Sequence, residues 1–305
     1  MLTVGFAILP VVAAIALGYI LKERGVPQAV WAAAEKSVFF LFLPALAMHH
    51  IAVRDVRLDE VLAMLTPALA IILGMGVLGY WSARKLTLSP PPTAASVHQA
   101  SIRLNGVLMI ALMPTLLGPE VWPYVAVMTS LWPTVSNTTS ILVFVRTAGL
   151  HNSPRQTVFA VLKNPMVIAV FAGVALNVGG MGPYVEAFGL LELLGRAAMP
   201  VGLLAVGAAL EFSRLRESGP PTLLATVLKL AVMPAAMWGL CVAFTLPPLI
   251  TQLMVISAAL PTSPSGYVLA SQMGGDGRTM ASAIMLQHLI GLASVAFVAS
   301  LILTP

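Results

Sequence analysis

Apolar runs of about 17 to 25 residues, the length that carries a helix across ~30 Å of hydrocarbon, recur from one end of this chain to the other. Between charged or Pro/Gly-rich breaks they delimit ten expected spans, at 2–21, 36–53, 61–82, 97–117, 121–145, 165–181, 190–211, 222–244, 249–271 and 279–303. Backbone polar groups in lipid must be satisfied within the protein, which leaves helices as the natural form for runs of this length. Composition agrees: 59% of the 305 residues are hydrophobic and 9% charged, too few charges to cover a soluble surface. The expected class is an all-α integral membrane protein.

The first run, Leu2 to Leu21, reads as a permanent span, because no basic residue precedes it and no small-residue cleavage site follows it. Cys241 is the single cysteine and lies in an apolar run, so neither a disulfide framework nor a thiolate metal site is expected. The net charge of +5 does not point to nucleic acid, since the 16 Lys and Arg form no dense tract. They follow membrane topology instead. Odd-numbered loops carry Lys22, Arg24, Lys36, Arg84, Lys85, Arg146, Arg155, Lys163, Arg214, Arg216 and Arg278, whereas even loops hold only Arg54, Arg57 and Arg196. Basic loops stay in the cytoplasm, so the expectation is a multi-pass protein of the cytoplasmic (inner) membrane with both termini outside.

The polar segment from Arg146 to Asn164 is the natural joint between two halves, 1–150 and 151–305. Pro44 and Pro200 are 156 residues apart, Asn105 and Pro261 are also 156 apart, and Pro10 and Pro165 differ by 155. Five spans per half is an odd number, so a second copy starts on the opposite side of the membrane and is inverted, as in many secondary transporters. The helix breaks in spans 4 and 9 are then expected to meet.

The break in span 9 is AALPTSPSGYVLASQMGG, residues 258–275. Proline lacks the N–H donor and blocks the carbonyl one turn earlier, so Pro261 and Pro264, amid Thr262, Ser263, Ser265 and Gly266, should unwind this helix near mid-membrane. Unwound backbone at that depth must line a wet cavity or lie buried in protein. In span 4, Asn105–Gly106 is the matching weak point, with Pro114 following. Half-helix N-termini converging there would attract an anion, particularly a carboxylate. Pro kinks that only shape packing are the plainer reading of any one such span.

Span 5 contains SLWPTVSNTTS, with Pro133 one turn before Asn137; this amide could bind a carboxylate or tie helices together. His288, mid-span beside Gln287, is a candidate for proton handling, while His49 and His50 read as packing residues. Arg103 could hold an acid's second carboxylate or snorkel to the cytoplasmic face, and Lys229 invites the same two readings. Gly74, Gly76 and Gly79 match a dinucleotide fingerprint but lie within span 3 with no strand before them, which favours close helix packing.

Several segments together resemble the auxin efflux carrier family, and most of all its bacterial malonate-permease-like members: SIRLNG, PTVSNTTS, KNPMVIAVFAG, AAMPVGLLAVGAAL, LKLAVMP and AALPTSPSGYVLASQMGGD, in the family's order. The resemblance implies ten transmembrane helices in two inverted five-helix repeats with crossover helices 4 and 9, a fold shared with sodium/proton antiporters and bile-acid symporters. It also implies transport of small organic anions by alternating access, with one domain sliding as an elevator, and dimers. Carried over by position, Asn105 and Asn137 match substrate-contacting asparagines and Pro261 the crossover proline. Gly106–Val107 stands where many relatives carry an aromatic or second polar residue, and the middle of span 3 lacks the carboxylate of plant carriers. Both departures argue against an auxin-like substrate.

The functional expectation is a permease for mono- or dicarboxylates such as malonate, with no cofactor and with coupling to H+ or Na+ left open. In it Asn105, Gly106, Asn137, Pro261, Thr262, Ser263 and Ser265 form the site, and Pro44, Pro114, Pro133, Pro200 and Pro264 bend or break the helices. A non-transporting sensor or scaffold on the same fold is the alternative. An intramembrane enzyme is disfavoured, because the eleven acidic residues sit almost wholly in loops or at span ends.

Overall fold

A computed structural model describes residues 2–54, 58–147, 163–217 and 219–303; among them every regular element is helical. In chain order these are α1 (Leu2–Glu23), α2 (Gln28–Val53), α3 (Leu58–Leu86), α4a (Pro91–Ile102), α4b (Gly106–Leu117), α5 (Trp122–Thr147), α6 (Pro165–Val178), α7 (Leu190–Ala208), α8 (Pro220–Ala243), α9a (Pro248–Ala258), α9b (Gly266–Gln272) and α10 (Gly277–Ile302). The expected joint at 150/151 lies outside the described residues.

By length and apolarity six of these stretches can cross a membrane: α2, α3, α4a with α4b, α7, α8 and α10. A seventh is added if α6 and the short helix Gly182–Phe188, bent by 115°, count as one. The ten expected crossings are thus six or seven by this measure. Two of the missing crossings have visible causes: α9a has only 11 residues, and α5 is long enough but carries Thr134, Ser136, Asn137, Thr138, Thr139 and Ser140 along its middle. Helix 2 also starts at Gln28, eight residues before the expected 36, because the amphipathic stretch QAVWAAAEKS is helical too.

Small residues let the helices approach closely, as expected where lipid supplies no hydrophobic drive between them. In α1, a Cβ on Gly18 would fall on the Leu204 carbonyl of α7, and one on Gly207 of α7 would fall on the Ile15 carbonyl of α1. Gly173 of α6 meets α2 in the same way, since a Cβ on it would lie 3.1 Å from the Met48 carbonyl oxygen, and one on Gly195 of α7 would lie 3.0 Å from the Leu46 Cα. In α3, Gly76 and Gly79 face His98 and Ser101 of α4a, so the glycine pattern serves packing. Two packed groups result: α1, α2, α6 and α7 on one side, and α3, α4a, α4b, α5, α8, α9a, α9b and α10 on the other.

The prolines act differently from one another. Pro44 and Pro234 each follow a π-helical turn, Val38–Phe42 and Leu228–Val232, which absorbs the missing donor without ending the helix. Pro200 sits four residues after Arg196, where α7 breaks for one residue at Ala197. Pro114 and Pro133 are corrected as helix breakers: both lie inside uninterrupted helices. Pro261 and Pro264, in contrast, accompany an open gap, Ala259–Ser265, between α9a and α9b.

Candidate functional site

Two helices lose their hydrogen-bond ladder at mid-length, at Arg103–Asn105 and at Ala259–Ser265, and the interruptions touch. Asn105 donates its backbone N–H to the Pro261 carbonyl at 2.9 Å. Its side chain has a local reason to sit there. As N-cap of α4b, its Oδ1 accepts from the N–H groups of Val107 (3.1 Å) and Leu108 (3.3 Å), two of the donors that a helix start leaves orphaned. The N-terminus of α4b is therefore already occupied by the protein's own amide oxygen.

The C-terminal ends of the first half-helices are capped from outside. The Ile102 carbonyl, last of α4a, accepts from the Trp132 indole N–H at 2.7 Å. The Ala258 carbonyl, last of α9a, accepts from the Lys229 ammonium at 3.0 Å. A cation at a helix C-terminus meets the partial negative charge of the aligned peptides. Lys229 is wholly buried, with its Nζ also 3.2 Å from the Met233 sulfur and 5.8 Å from the Trp132 ring centroid. It does not snorkel.

Two neighbours on α10 hold the crossing. Gln287 accepts from the Thr262 N–H at 2.9 Å and donates to the Ala100 carbonyl at 3.2 Å, joining the α9 gap to α4a. His288 places Nδ1 2.8 Å from the Ile284 carbonyl, so Nδ1 carries the proton; Nε2 is then the acceptor for the Asn105 amide at 3.2 Å. Asn105 and His288 form one buried unit.

Arg103 lies in the α4 interruption, only 6% exposed. Its Nη1 donates to the Asn137 amide oxygen on α5, and its Nη2 to the Ser265 hydroxyl at the end of the α9 gap, 2.8 Å away. This arginine is thus drawn inward to the crossing instead of reaching the membrane surface. Ser265 has a second neighbour, the Ser263 hydroxyl at 3.0 Å. A cleft of about 260 Å³ reaches this point, lined by Ser265, Pro264, Tyr267 and Met285, with Lys22, Glu35, Glu211 and Arg214 also in its wall. Away from it, His50 of α2 stacks on Trp122 of α5 with ring centroids 4.0 Å apart, closing a small apolar space bounded by Ile110 and Thr129.

Most residues singled out in the sequence thus lie together: Arg103, Asn105, Gly106, Asn137, Pro261, Thr262, Ser263, Ser265 and His288 are all on the two interruptions or bonded to them. Pro44 and Pro200 lie elsewhere, on α2 and α7. Trp132 and the bridging role of Gln287 escaped the sequence reading. A signal existed for Trp132, since a buried indole needs an acceptor. The Thr262 hydroxyl and both amide atoms of Gln99 are buried with no hydrogen-bond partner among the described residues. At the edge of the site, Asp276 caps α10 through the Thr279 N–H (3.1 Å) and also accepts from the Thr93 hydroxyl of α4a (2.8 Å).

Comparison with known proteins adds three findings. Residues 149–299 match the family model described as "Membrane transport protein". Over 297 residues the chain is 25% identical to an "Uncharacterized transporter" of Methanothermobacter thermautotrophicus, covering 94% of this chain and 95% of that protein. It is also 27% identical over 133 residues to a "Putative malonate transporter" of Rhizobium meliloti, covering 43% of this chain and 42% of that relative, less than half its length. These agree with the resemblance read from the motifs.

Proposed function

We propose that this chain, which belongs to the membrane transport protein family, is a secondary transporter of small organic anions that works by alternating access. The observation that carries the reading is the hydrogen bond between Asn105 and Pro261 at the meeting of two broken helices, one of which lines a cleft through Pro264 and Ser265. Broken helices in lipid are tolerated where they line a path, and transporters place their sites there.

The ten-helix, two-repeat architecture belongs to this proposal. In its favour, α5 and α10 are both 26 residues long and their ends are offset by 155 at each terminus. The half-helix ends Ile102 and Ala258 are 156 apart, and both carbonyls carry a side-chain donor. The tight contacts repeat as well: Gly18 packs on Leu204 and Gly173 on Met48, pairs offset by 155 and 156. In this scheme α1, α2, α6 and α7 form the scaffold, and the other group slides against it as an elevator. The cleft opens between the groups, and the basic-loop residues Lys22 and Arg214 in its wall support a mouth on the cytoplasmic side in this scheme. The His50–Trp122 stack lies on the closed side.

Malonate is the leading substrate, consistent with the printed name of the Rhizobium relative; short mono- and dicarboxylates complete the class. The Asn105 and Asn137 amides would each offer an N–H to carboxylate oxygens. The test is uptake of radiolabelled malonate by proteoliposomes holding the purified protein. Saturable uptake, abolished in a folded Asn105→Ala variant, is the expected result. Binding without flux across a carboxylate panel would replace the transporter with a sensor on the same fold.

A further inference from the structure

We infer that Arg103 is the residue that recognises the substrate's negative charge, and that it does so by exchanging the Ser265 hydroxyl for a substrate carboxylate. The inference rests on the organic-anion reading and names the contact that would make it.

Three observations converge. Arg103 is a buried cation whose guanidinium is bonded, among the described residues, to neutral acceptors: the Asn137 amide oxygen and the Ser265 hydroxyl. A neutral acceptor satisfies the N–H group geometrically but leaves the charge unbalanced, a costly state in a low-dielectric interior. A planar guanidinium presents parallel N–H groups that match the two oxygens of a carboxylate. Ser265 is exposed and lines the cleft, whereas Arg103 stands behind it. An anion arriving through the cleft therefore meets the serine first and the arginine once the serine turns away.

The turn has a destination. The Ser263 hydroxyl is already 3.0 Å from that of Ser265, so Ser265 keeps a hydrogen bond when it releases Nη2. Both serines lie in the α9 gap, which lacks the helical ladder that would hold them rigidly. Asn137 stays in place: its oxygen orients Nη1, and its N–H2 remains available to the incoming carboxylate. Arg103 is thus the charge-reading group, Asn137 its positioning partner, and Ser265 the ligand given up.

The experiment compares malonate with malonamide, its neutral isostere, on purified protein in detergent by calorimetry and in proteoliposomes by uptake. Wild type should bind malonate and ignore malonamide. Arg103→Gln, checked for cooperative melting, should lose about 100-fold in malonate affinity and bring the two ligands to near parity. Arg103→Lys should keep the preference for charge while losing about tenfold in affinity, because the bidentate fit is gone. Ser265→Ala should bind malonate about threefold more tightly than wild type, because the anion no longer has to displace a hydroxyl from Nη2, and a loss of affinity in this variant would overturn the exchange. If Arg103→Gln does not fold, labelling of Ser265→Cys by a methanethiosulfonate reagent decides: protection by malonate and not by malonamide supports the exchange, and protection by neither overturns it. A folded Arg103→Gln that still prefers malonate overturns the role of Arg103 while leaving the anion transporter standing. Wild type that neither binds nor moves any carboxylate overturns both.

Discussion

The backbone N–H of Asn105 donates to the carbonyl of Pro261 at 2.9 Å, and these residues stand 156 apart, the separation that also relates Pro44 to Pro200. In the proposed two-repeat scheme this one bond joins corresponding points of the two halves. Each partner needs the other: Pro261 lies in a gap where carbonyls have lost their helical donors, and Asn105 begins a helix after a break. The crossing is therefore a mutual satisfaction of orphaned backbone groups. The side chains around it tune what the crossing can bind.

Asn105 serves as helix cap, partner of His288 and candidate ligand at once. Replacement by alanine leaves the backbone bond to Pro261 but removes the cap, at a cost of about 1 kcal/mol. Folded Asn105→Ala is expected in the membrane with a modest fall in melting temperature and a loss of saturable malonate uptake. Wild-type kinetics in that variant would remove Asn105 from the site.

Trp132→Phe keeps the ring but deletes the donor to the Ile102 carbonyl. A buried carbonyl left without its partner costs about 1–3 kcal/mol. Thermal unfolding in detergent should register the loss, and an unchanged melting temperature would mean that another donor replaces the indole.

Gly207→Val should weaken the contact of α1 with α7, because the new Cβ would occupy the position of the Ile15 carbonyl, which is backbone and cannot swing aside. Overpacking of this kind costs about 1–3 kcal/mol. Gly239→Ala is the control, as its Cβ meets nothing within 4 Å. Comparable melting of the two variants would refute the close approach.

Asp276 gives the protein an acid-labile joint. Burial pushes its carboxyl upward, but hydrogen bonds from the hydroxyl and N–H of Thr279, the hydroxyl of Thr93 and the N–H of Arg278 outweigh that and hold it below its ordinary value. A depressed folded pKa makes the charged form the stabilising one, so the contribution is complete above the unfolded value of about 3.9 and disappears as pH falls through the folded value. Melting temperature should decline at the acid end, and Asp276→Asn should be less stable at neutral pH with a flatter acid limb. A parallel acid limb in the variant would assign the effect to other groups.

The sequence alone determined the solvent of this protein and the places where its helices weaken. Twenty-residue apolar runs permit little but membrane helices, and PTSPSG cannot continue a helix, since two prolines three apart remove donors and polar side chains compete for the backbone. The offset of 156 that motivates the proposed repeat is also read there, in Pro44, Asn105, Pro200 and Pro261. Proline alone misled at Pro114 and Pro133, because a helix packed among neighbours can tolerate a missing donor where its own and adjacent groups compensate.

Only the tertiary structure decided what each polar side chain bonds to. Nothing local tells whether Arg103 snorkels or turns inward; the nearness of Asn137 and Ser265, 34 and 162 residues away in the chain, settled it. Trp132 and Lys229 found their roles only once the ends of α4a and α9a came within reach. The division has one physical reason. Backbone conformation and burial follow from neighbouring residues and from lipid, so they leave a periodic trace along the chain. A long-range hydrogen bond is fixed by where two helices cross, and crossing is a property of the packed whole.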